Sequence, residues 1–121
     1  MPTARSRIGR SAEIAAAAEL GKRGYRIVES NYRCRQGEID LIAWEGGSLV
    51  FVEVRCKRTN AYGSPAESVT VSKRRKLIAA AERYLEEHPL DGAACRFDVV
   101  EVTAADGKLR VSQVISDAFS S

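Results

Sequence analysis

Two runs of strand-forming residues separated by a pair of glycines constrain this chain more than any other feature of its sequence. The runs Gly37–Trp44 and Leu49–Lys57 lie on either side of a short turn centred on Gly46-Gly47. A Gly-Gly pair between runs rich in valine, isoleucine and phenylalanine is a strong signal for a two-residue hairpin loop. We therefore predict an antiparallel hairpin whose register is set by this turn.

The predicted register brings charged residues together on one face of the hairpin. If the two glycines are the loop residues, Asp40 faces Glu53. Two positions farther from the turn, Glu38 faces Arg55. Because side chains alternate along a strand, these four residues would share their face with Lys57. The opposite face is apolar and is predicted to lie in the core, with residues Ile39, Leu41, Ala43, Val50, Val52 and Val54.

Two facing carboxylates in a partly apolar setting need a compensating interaction, because like charges placed opposite each other are destabilising. A shared proton would raise one pKa, and a nearby cation such as Arg55 would neutralise charge. A third compensation is a divalent metal ion, and carboxylate oxygens with open positions for water and phosphate suit Mg²⁺. The alternative is an ion-pair network in which Arg55 and Lys57 neutralise Glu38 and Asp40. The spacing alone leaves both interpretations open.

Capping residues and periodicity predict two helices. Ser11 would cap a helix that ends near Arg23, so that residues 1–10 would form a basic mobile arm. Ser72 would cap a second helix over residues 73–87, where apolar residues recur with the 3.6-residue period.

The remaining strands complete an α-β-β-β-α-β-β order. They are predicted at Tyr25–Asn31, Arg96–Thr103 and Lys108–Ile115, and a loop is predicted over residues 58–66. A sheet with helices packed on its faces follows from this order, which is an α/β architecture. Residues 11–121 would form a single domain, since no linker interrupts them.

Charge is unevenly distributed along the chain. Residues 1–35 hold eight basic and three acidic residues, and residues 36–54 hold four acidic residues and no basic one. Residues 55–76 hold seven basic residues and one acidic residue. The basic run Lys73–Lys76 begins the second helix, where it opposes the helix dipole. This conflict favours an anionic partner, although a solvated face is the ordinary interpretation of a charge run.

Cysteine and histidine content argues against several other chemistries. The chain has three cysteines without a C-x-x-C spacing and one histidine, His88. A zinc site, a disulfide framework or a histidine-based triad is therefore not expected. No apolar run approaches the ~20 residues of a membrane span, and no apolar signal region follows the basic N-terminus. We expect a cytoplasmic protein that uses carboxylates, lysine and arginine.

The segments Gly37–Ile42 and Phe51–Arg55 resemble the bacterial YraN-like family of uncharacterised predicted nucleases. Together they carry the D…ExK signature of restriction endonucleases, in the form GEIDLI followed by FVEVR. The resemblance runs from about Gly9 to Val102. Further matching positions are Ala12-Glu13, Gly24-Tyr25, Asn31, Tyr62–Pro65, Val69–Lys73 and Arg96–Val100.

The resemblance implies a restriction-endonuclease-like core with a mixed central sheet, related to Holliday-junction resolvases. It implies an endonuclease acting on branched or single-stranded DNA, and a homodimer by analogy. Mg²⁺ or Mn²⁺ would be held by Asp40, Glu53 and the backbone carbonyl of Val54. Glu13 would be an additional acidic group near the metal, and Lys73 would contact phosphate.

Arg55 stands where the family motif has lysine. Arginine keeps the charge and can bind a phosphate through two hydrogen bonds, but it does not lose a proton, so it cannot be a general base. Lys57 shares the strand face and lies about 6.6 Å farther along, at a rise of ~3.3 Å per residue. The substitution weakens the prediction of catalysis more than the prediction of binding.

Three functions follow from these residues. The first is a Mg²⁺-dependent endonuclease with catalytic Glu13, Asp40, Glu53, Arg55 and Lys73. The second is a nucleic-acid-binding module without turnover, and the third is an interaction protein whose carboxylates pair with Arg55 and Lys57. DNA is the expected partner, and the sequence does not exclude RNA. Contacts to nucleic acid are predicted for Lys57, Arg58, Lys73, Arg74, Arg75 and Lys76.

Overall fold

A computed structural model of the chain describes residues 4–58, 69–89 and 92–120. The elements are α1 (Ala4–Lys22), β1 (Arg26–Cys34), β2 (Gly37–Glu45), β3 (Ser48–Arg58), α2 (Val71–Glu87), β4 (Ala94–Ala105) and β5 (Lys108–Phe119). The predicted α/β class and element order are confirmed. The predicted loop after β3, from residue 59 onward, and the first three residues of the predicted arm lie outside the described residues.

Both helices begin earlier than predicted. α1 begins at Ala4 and not at Ser11, so residues 4–10 of the predicted arm are helical. This segment contains no proline, and its alanine and arginines favour helix, so nothing in it stops the helix short of Ala4. α2 is capped by Thr70 and not by Ser72: the Thr70 Oγ1 atom accepts a hydrogen bond of 3.1 Å from the Lys73 backbone N–H.

The five strands form one mixed sheet in the order β1-β2-β3-β4-β5. β3 and β4 are parallel, because the chain crosses over through α2, and the other neighbouring pairs are antiparallel. The two helices cover opposite faces of this sheet. α2 contributes Leu77, Ala80, Ala81 and Tyr84 to one apolar cluster, and α1 contributes Ala12, Ala16 and Leu20 to the other. Neither helix is long and apolar enough to span a membrane, within the residues that the structure describes.

The predicted hairpin register is confirmed near the turn. Glu45 pairs with Ser48, and the ladder continues in the predicted register to Leu41 and Val52. The predicted core face is wrong at Ile39, which packs in the α2 cluster, whereas Leu41 packs in the α1 cluster. Residues two apart on a regular strand share a face, so the alternation of β2 is broken at the intervening residue, Asp40.

Candidate carboxylate site

The candidate site lies where β2 and β3 separate. Their regular pairing ends at Leu41 and Val52, one residue short of Asp40. There the Asp40 Oδ2 atom accepts a hydrogen bond of 2.7 Å from the backbone N–H of Val54. A side-chain oxygen thus satisfies a donor that a backbone carbonyl of a paired strand would otherwise satisfy. The Asp40 carboxylate therefore lies between the two strands. The sequence predicted that it would face Glu53 across a regular ladder, and that prediction is wrong.

β1 is distorted at the same level of the sheet. Asn31 has a φ of 54° and lies between the residues that pair with Leu41 and Ile39, which places it beside Asp40. Asparagine enters this left-handed region more readily than most residues. The Asn31 side chain hydrogen-bonds the Glu13 carboxylate. This distortion therefore connects β1 to the helix that covers one face of the site.

Asp40 lies close to three other carboxylates, and the four come from three elements. Glu13 of α1 and Glu38 and Asp40 of β2 each offer an oxygen, and these oxygens lie within 4.8 Å of one another. Glu53 of β3 lies close enough to Asp40 for that carboxyl to raise its pKa, and it contacts α2 through Lys73. Asp40 therefore links a carboxylate on the α1 side of the sheet to one on the α2 side. We call Glu13, Glu38, Asp40 and Glu53 the carboxylate cluster.

Burial and crowding raise two pKa values within the carboxylate cluster. Burial, followed by the hydrogen bond and the charge of Asp40, raises the pKa of Glu53 to about 9, although Lys73 and Arg55 oppose the shift. Burial and the charge of Asp40 also raise the pKa of Glu13 to about 7. Burial disfavours the charged form of each carboxyl, and the neighbouring charge of Asp40 adds to this effect.

One oxygen of the carboxylate cluster is buried without a hydrogen bond. Glu53 is only 4% exposed, and its Oε2 atom has no hydrogen-bond partner among the described residues. The Lys73 Nζ atom lies 3.5 Å from this oxygen, which is an ion-pair contact without hydrogen-bond geometry. A buried polar atom left unsatisfied calls for a ligand or an ion. An all-oxygen donor set beside it fits a small divalent cation such as Mg²⁺.

Two of the predicted cations lie beside Glu53. Lys73 contacts its carboxylate from α2, and Arg55 is close enough to lower its pKa. Lys57 lies elsewhere: its Nζ atom is 3.1 Å from Oε1 of Glu101, a buried residue of β4. Parallel pairing places Arg55 opposite Glu101, so Lys57 reaches back along the strand to it.

The predicted ion-pair network between Glu38 and Arg55 is not the one that forms. The Arg33 Nε atom lies 3.4 Å from Oε1 of Glu38, across the β1–β2 pair. Because β2 and β3 separate at Asp40, Glu38 is no longer held opposite Arg55. This alternative fails because it extends the hairpin ladder three residues beyond Leu41 and Val52.

The predicted basic run divides into residues with different surroundings. Arg74 is tied into the fold: its Nε atom donates a 3.0 Å hydrogen bond to the Val69 carbonyl, and its guanidinium lies over the Phe119 ring. Arg75 and Lys76 are exposed on α2. The side chain of Arg58 lies outside the described residues. Arg74 is therefore the least suited of the run to bind nucleic acid.

Sequence reasoning missed two residues of the site. Glu38 had a role only in the alternative ion-pair network, yet it belongs to the carboxylate cluster. Its place two residues before Asp40 within the GEIDLI motif was the available signal. Asn31 matched the family pattern, but no role was predicted for it, because its left-handed backbone and its contact with Glu13 are tertiary features.

The fold and the carboxylate cluster together define an α/β protein with a group of acidic side chains at a split in its sheet. The chain belongs to the uncharacterised protein family UPF0102, whose model matches residues 12–102. This result confirms the resemblance to the YraN-like family. The matched region contains every residue of the carboxylate cluster.

Similar proteins of this family occur in several bacteria. A UPF0102 protein of Symbiobacterium thermophilum is 50% identical over 114 residues, covering 93% of this chain and 96% of the relative. A UPF0102 protein of Moorella thermoacetica is 47% identical over 121 residues, covering 98% of this chain and all of the relative (100%). One from Xanthomonas campestris is 47% identical over 120 residues, covering 98% and 96%.

Among solved structures, the chain is similar to a repair endonuclease from Pyrococcus abyssi. The TM-score is 0.42 and the sequence identity 20%, over 80% of this chain and 39% of that chain. A similarity this low says nothing about what the present chain does. The carboxylate cluster has to be interpreted from its own chemistry.

Proposed function

We propose that this protein is a Mg²⁺-dependent endonuclease that hydrolyses phosphodiester bonds in DNA. One observation carries the proposal: Glu13, Glu38 and Asp40 each offer an oxygen within 4.8 Å of the others, and Glu53, which interacts with Asp40, has a buried oxygen without a hydrogen-bond partner among the described residues. A purely structural cluster of acids would be neutralised by the protein itself. This cluster is incompletely neutralised and adjoins cationic side chains that suit phosphate.

The chain offers a consistent set of metal ligands. Asp40 and Glu53 would hold Mg²⁺ or Mn²⁺, together with the Val54 carbonyl, and Glu13 and Glu38 would complete the acidic surroundings. The Val54 carbonyl suits this role because the N–H and C=O of one strand residue point to the same side, and its N–H points to Asp40. A bound divalent ion supplies Lewis-acid activation of a phosphoryl oxygen and of water.

The cationic side chains would bind and orient the substrate phosphate. Arg55 presents a planar fork of donors that matches two phosphate oxygens, and its charge stabilises the negative charge that develops during hydrolysis. Lys73 contacts Glu53, so it would position both that carboxylate and a phosphate. Arg55 holds its proton throughout and therefore takes no part in proton transfer.

A cleavage assay tests this proposal. Labelled junction, flap, single-stranded and duplex DNA are incubated with the protein in Mg²⁺, Mn²⁺ or EDTA. We expect metal-dependent cutting that is lost in Glu53→Gln, which keeps the shape of the buried side chain. Glu19→Gln is the matched control on α1, where Glu19 pairs with Arg23 away from the carboxylate cluster. Cutting by Glu53→Gln at the wild-type rate would contradict the proposal.

The presence of Arg55 in place of the motif lysine favours a second candidate function. This candidate is a nucleic-acid-binding module without turnover. It predicts that DNA is retained in EDTA, with an affinity that falls as salt rises, and that no DNA is cut in any metal. A gel-shift experiment run beside the cleavage assay separates the two candidates.

A further inference from the structure

A basic groove lies between the β1–β2 turn and the second half of α2. Its volume is about 460 Å³. Arg33 and Arg35 line it from the turn, and Arg83 and Glu87 line it from the helix. We call this feature the arginine groove. Three arginines and one glutamate give it a net positive charge, and arginine is the side chain best suited to bind phosphate through paired hydrogen bonds.

The arginine groove adjoins the carboxylate cluster. Arg33 belongs to both, because it lines the groove and its Nε atom lies 3.4 Å from Oε1 of Glu38. Gly37 keeps the start of β2 close to α2: a Cβ atom at Gly37 would lie 3.3 Å from both Cβ and the carbonyl oxygen of Lys76. A side chain at this position would therefore require Lys76 to shift by a few tenths of an ångström. The groove and the carboxylate cluster are thus joined by tightly packed backbone.

A cationic stripe on α2 leads from the carboxylate cluster to the arginine groove. Lys73, Lys76 and Arg83 follow spacings of three and seven residues, which place them on one side of the helix. At 1.5 Å per residue, the stripe is about 15 Å long. Lys73 is at the Glu53 end of it, and Arg83 lines the groove at the other end.

Glu87, the acidic residue of the groove, already interacts with other residues of the protein. The Tyr32 hydroxyl donates a hydrogen bond to Glu87. Arg83 lies 3.7 Å from Glu86 and 4.0 Å from Glu87, and all three side chains are about half exposed or more. Exposed pairs at these distances are weak and are screened by salt, so an anionic ligand can compete for Arg83.

We propose that the arginine groove binds the phosphodiester backbone of the substrate strand on one side of the bond to be cut. The strand would run from Lys73 along α2 and over Lys76 to Arg35 and Arg83. This inference rests on the proposed function, because it takes the carboxylate cluster as the point from which the strand departs. It assigns a binding role to the β1–β2 turn, for which no sequence pattern provides an indication.

Oligonucleotide binding tests the groove separately from cleavage. Fluorescence anisotropy in EDTA would compare the wild-type protein with Arg35→Gln/Arg83→Gln on a single-stranded oligonucleotide. We expect binding to weaken at least tenfold. We also expect the slope of log affinity against log salt to become shallower by about 1.4, the value for two lost contacts to a single strand. Arg23→Gln/Arg26→Gln removes two exposed arginines at the far end of β1 and should leave both quantities unchanged.

The outcomes separate this inference from the proposed function. If the wild-type protein cuts DNA and Arg35→Gln/Arg83→Gln binds with unchanged affinity and salt slope, the groove proposal is wrong and the nuclease stands. If Glu53→Gln cuts like the wild type while Arg35→Gln/Arg83→Gln binds weakly, cleavage does not occur at the carboxylate cluster, and the groove stands only as a site that binds nucleic acid. Equal weakening in the control double variant would also overturn the groove, since it would show a general charge effect.

Thiol protection gives an independent measurement on the unaltered chain. Cys34 lines the arginine groove, whereas Cys95 is exposed near the start of β4. A saturating oligonucleotide should slow alkylation of Cys34 at least fivefold and leave Cys95 unaffected, as measured by peptide-resolved mass spectrometry. Unchanged alkylation of Cys34, or equal slowing at both cysteines, would contradict the proposal.

Discussion

Two buried acidic residues of this sheet, Asp98 and Glu53, differ in how fully the protein hydrogen-bonds their carboxylates. Asp98 in β4 is fully buried, and its carboxylate accepts hydrogen bonds of 2.7 Å from the Tyr25 hydroxyl, 3.0 Å from Arg96 Nε and 2.9 Å from the Asp117 N–H. Glu53 in β3 is almost as buried, but one of its oxygens has no hydrogen-bond partner in the described residues, and its pKa is raised to about 9.

The difference teaches how to separate a structural acid from a functional one. The protein itself satisfies Asp98, so its burial costs little and nothing more is needed there. The carboxylate cluster is satisfied in part by protons, which a divalent ion can replace. Burial alone does not separate the two, since Asp98 and Glu53 are both buried. Incomplete satisfaction by the surrounding protein separates them.

The largest expected effect is on stability, at Asp98. Asp98→Asn removes the charge that Arg96 pairs with at 3.0 Å and should lower the free energy of unfolding by about 3 kcal/mol. Chemical denaturation measures this loss. Asp106→Asn is the control, because Asp106 is exposed in the β4–β5 turn with a φ of 52°, which asparagine tolerates. A loss below about 1 kcal/mol, the scale of an exposed ion pair, would contradict the interpretation of Asp98 as a structural acid.

Glu53→Gln should show the opposite pattern. Cleavage should fall at least about a hundredfold, the scale of removing one strong electrostatic contact from an active site. The free energy of unfolding at pH 8 should rise, because glutamine needs no proton to remain neutral in this buried position. A variant that loses stability as Asp98→Asn does would place Glu53 among the structural acids.

The pH dependence of stability should reveal the crowded carboxyls. An ordinary pKa of 4.5 describes Glu53 in the unfolded chain, against about 9 in the folded protein. The folded state therefore keeps a proton that the unfolded chain loses. The contribution of Glu53 to the free energy of unfolding is complete below pH 4.5 and declines as pH rises towards 9. Glu13, with a folded pKa of about 7, adds to the decline between pH 4.5 and 7. Denaturation in EDTA at pH 5 and pH 8 measures the difference, which Glu53→Gln should reduce.

Added Mg²⁺ should reverse this decline. A ligand that binds only the folded state at ten times its dissociation constant stabilises by about 1.4 kcal/mol. We expect a higher melting temperature in Mg²⁺ at pH 8 and a smaller rise at pH 5, where protons compete with the ion. Asp98→Asn should keep the full response to Mg²⁺, whereas Glu53→Gln should lose it. Equal rises in melting temperature in the two variants would show that Glu53 is no more involved in binding Mg²⁺ than Asp98 is.

The smallest expected effect is on the cleavage rate at Arg55, which stands where the family motif has lysine. Arg55→Lys should lower the cleavage rate by no more than about tenfold, because lysine keeps the positive charge and loses only the paired hydrogen bonds to phosphate. A rate increase of a hundredfold or more would show that a lysine general base is what the natural chain lacks. Single-turnover kinetics at several pH values separates these results.

The sequence predicted the framework of the site well. Gly46-Gly47 defined the hairpin, and the register from Glu45 to Leu41 is the predicted one, because turn length and side-chain alternation act locally. Residue spacing does not predict the approach of Lys73 to Glu53. That contact depends on the crossover that packs α2 against the sheet, which no local pattern contains.

The sequence could not show where the sheet opens. Strand rules assume a backbone ladder, and at Asp40 a side chain takes the hydrogen bond that the ladder would form. This one exchange moves Ile39 to the other face and separates Glu38 from Arg55. Asn31 shows the same limit, since its φ of 54° is set by its tertiary neighbours.

Crystals soaked in Mn²⁺ would test the central claim most directly. Anomalous scattering locates the ion without reference to activity, and hard cations of this type lie about 2.0–2.2 Å from their oxygen ligands. The carboxylate cluster predicts a peak bonded to Asp40 and Glu53, and none beside Asp98. A peak-free cluster at millimolar Mn²⁺ would contradict the claim that its unsatisfied oxygen marks a metal site.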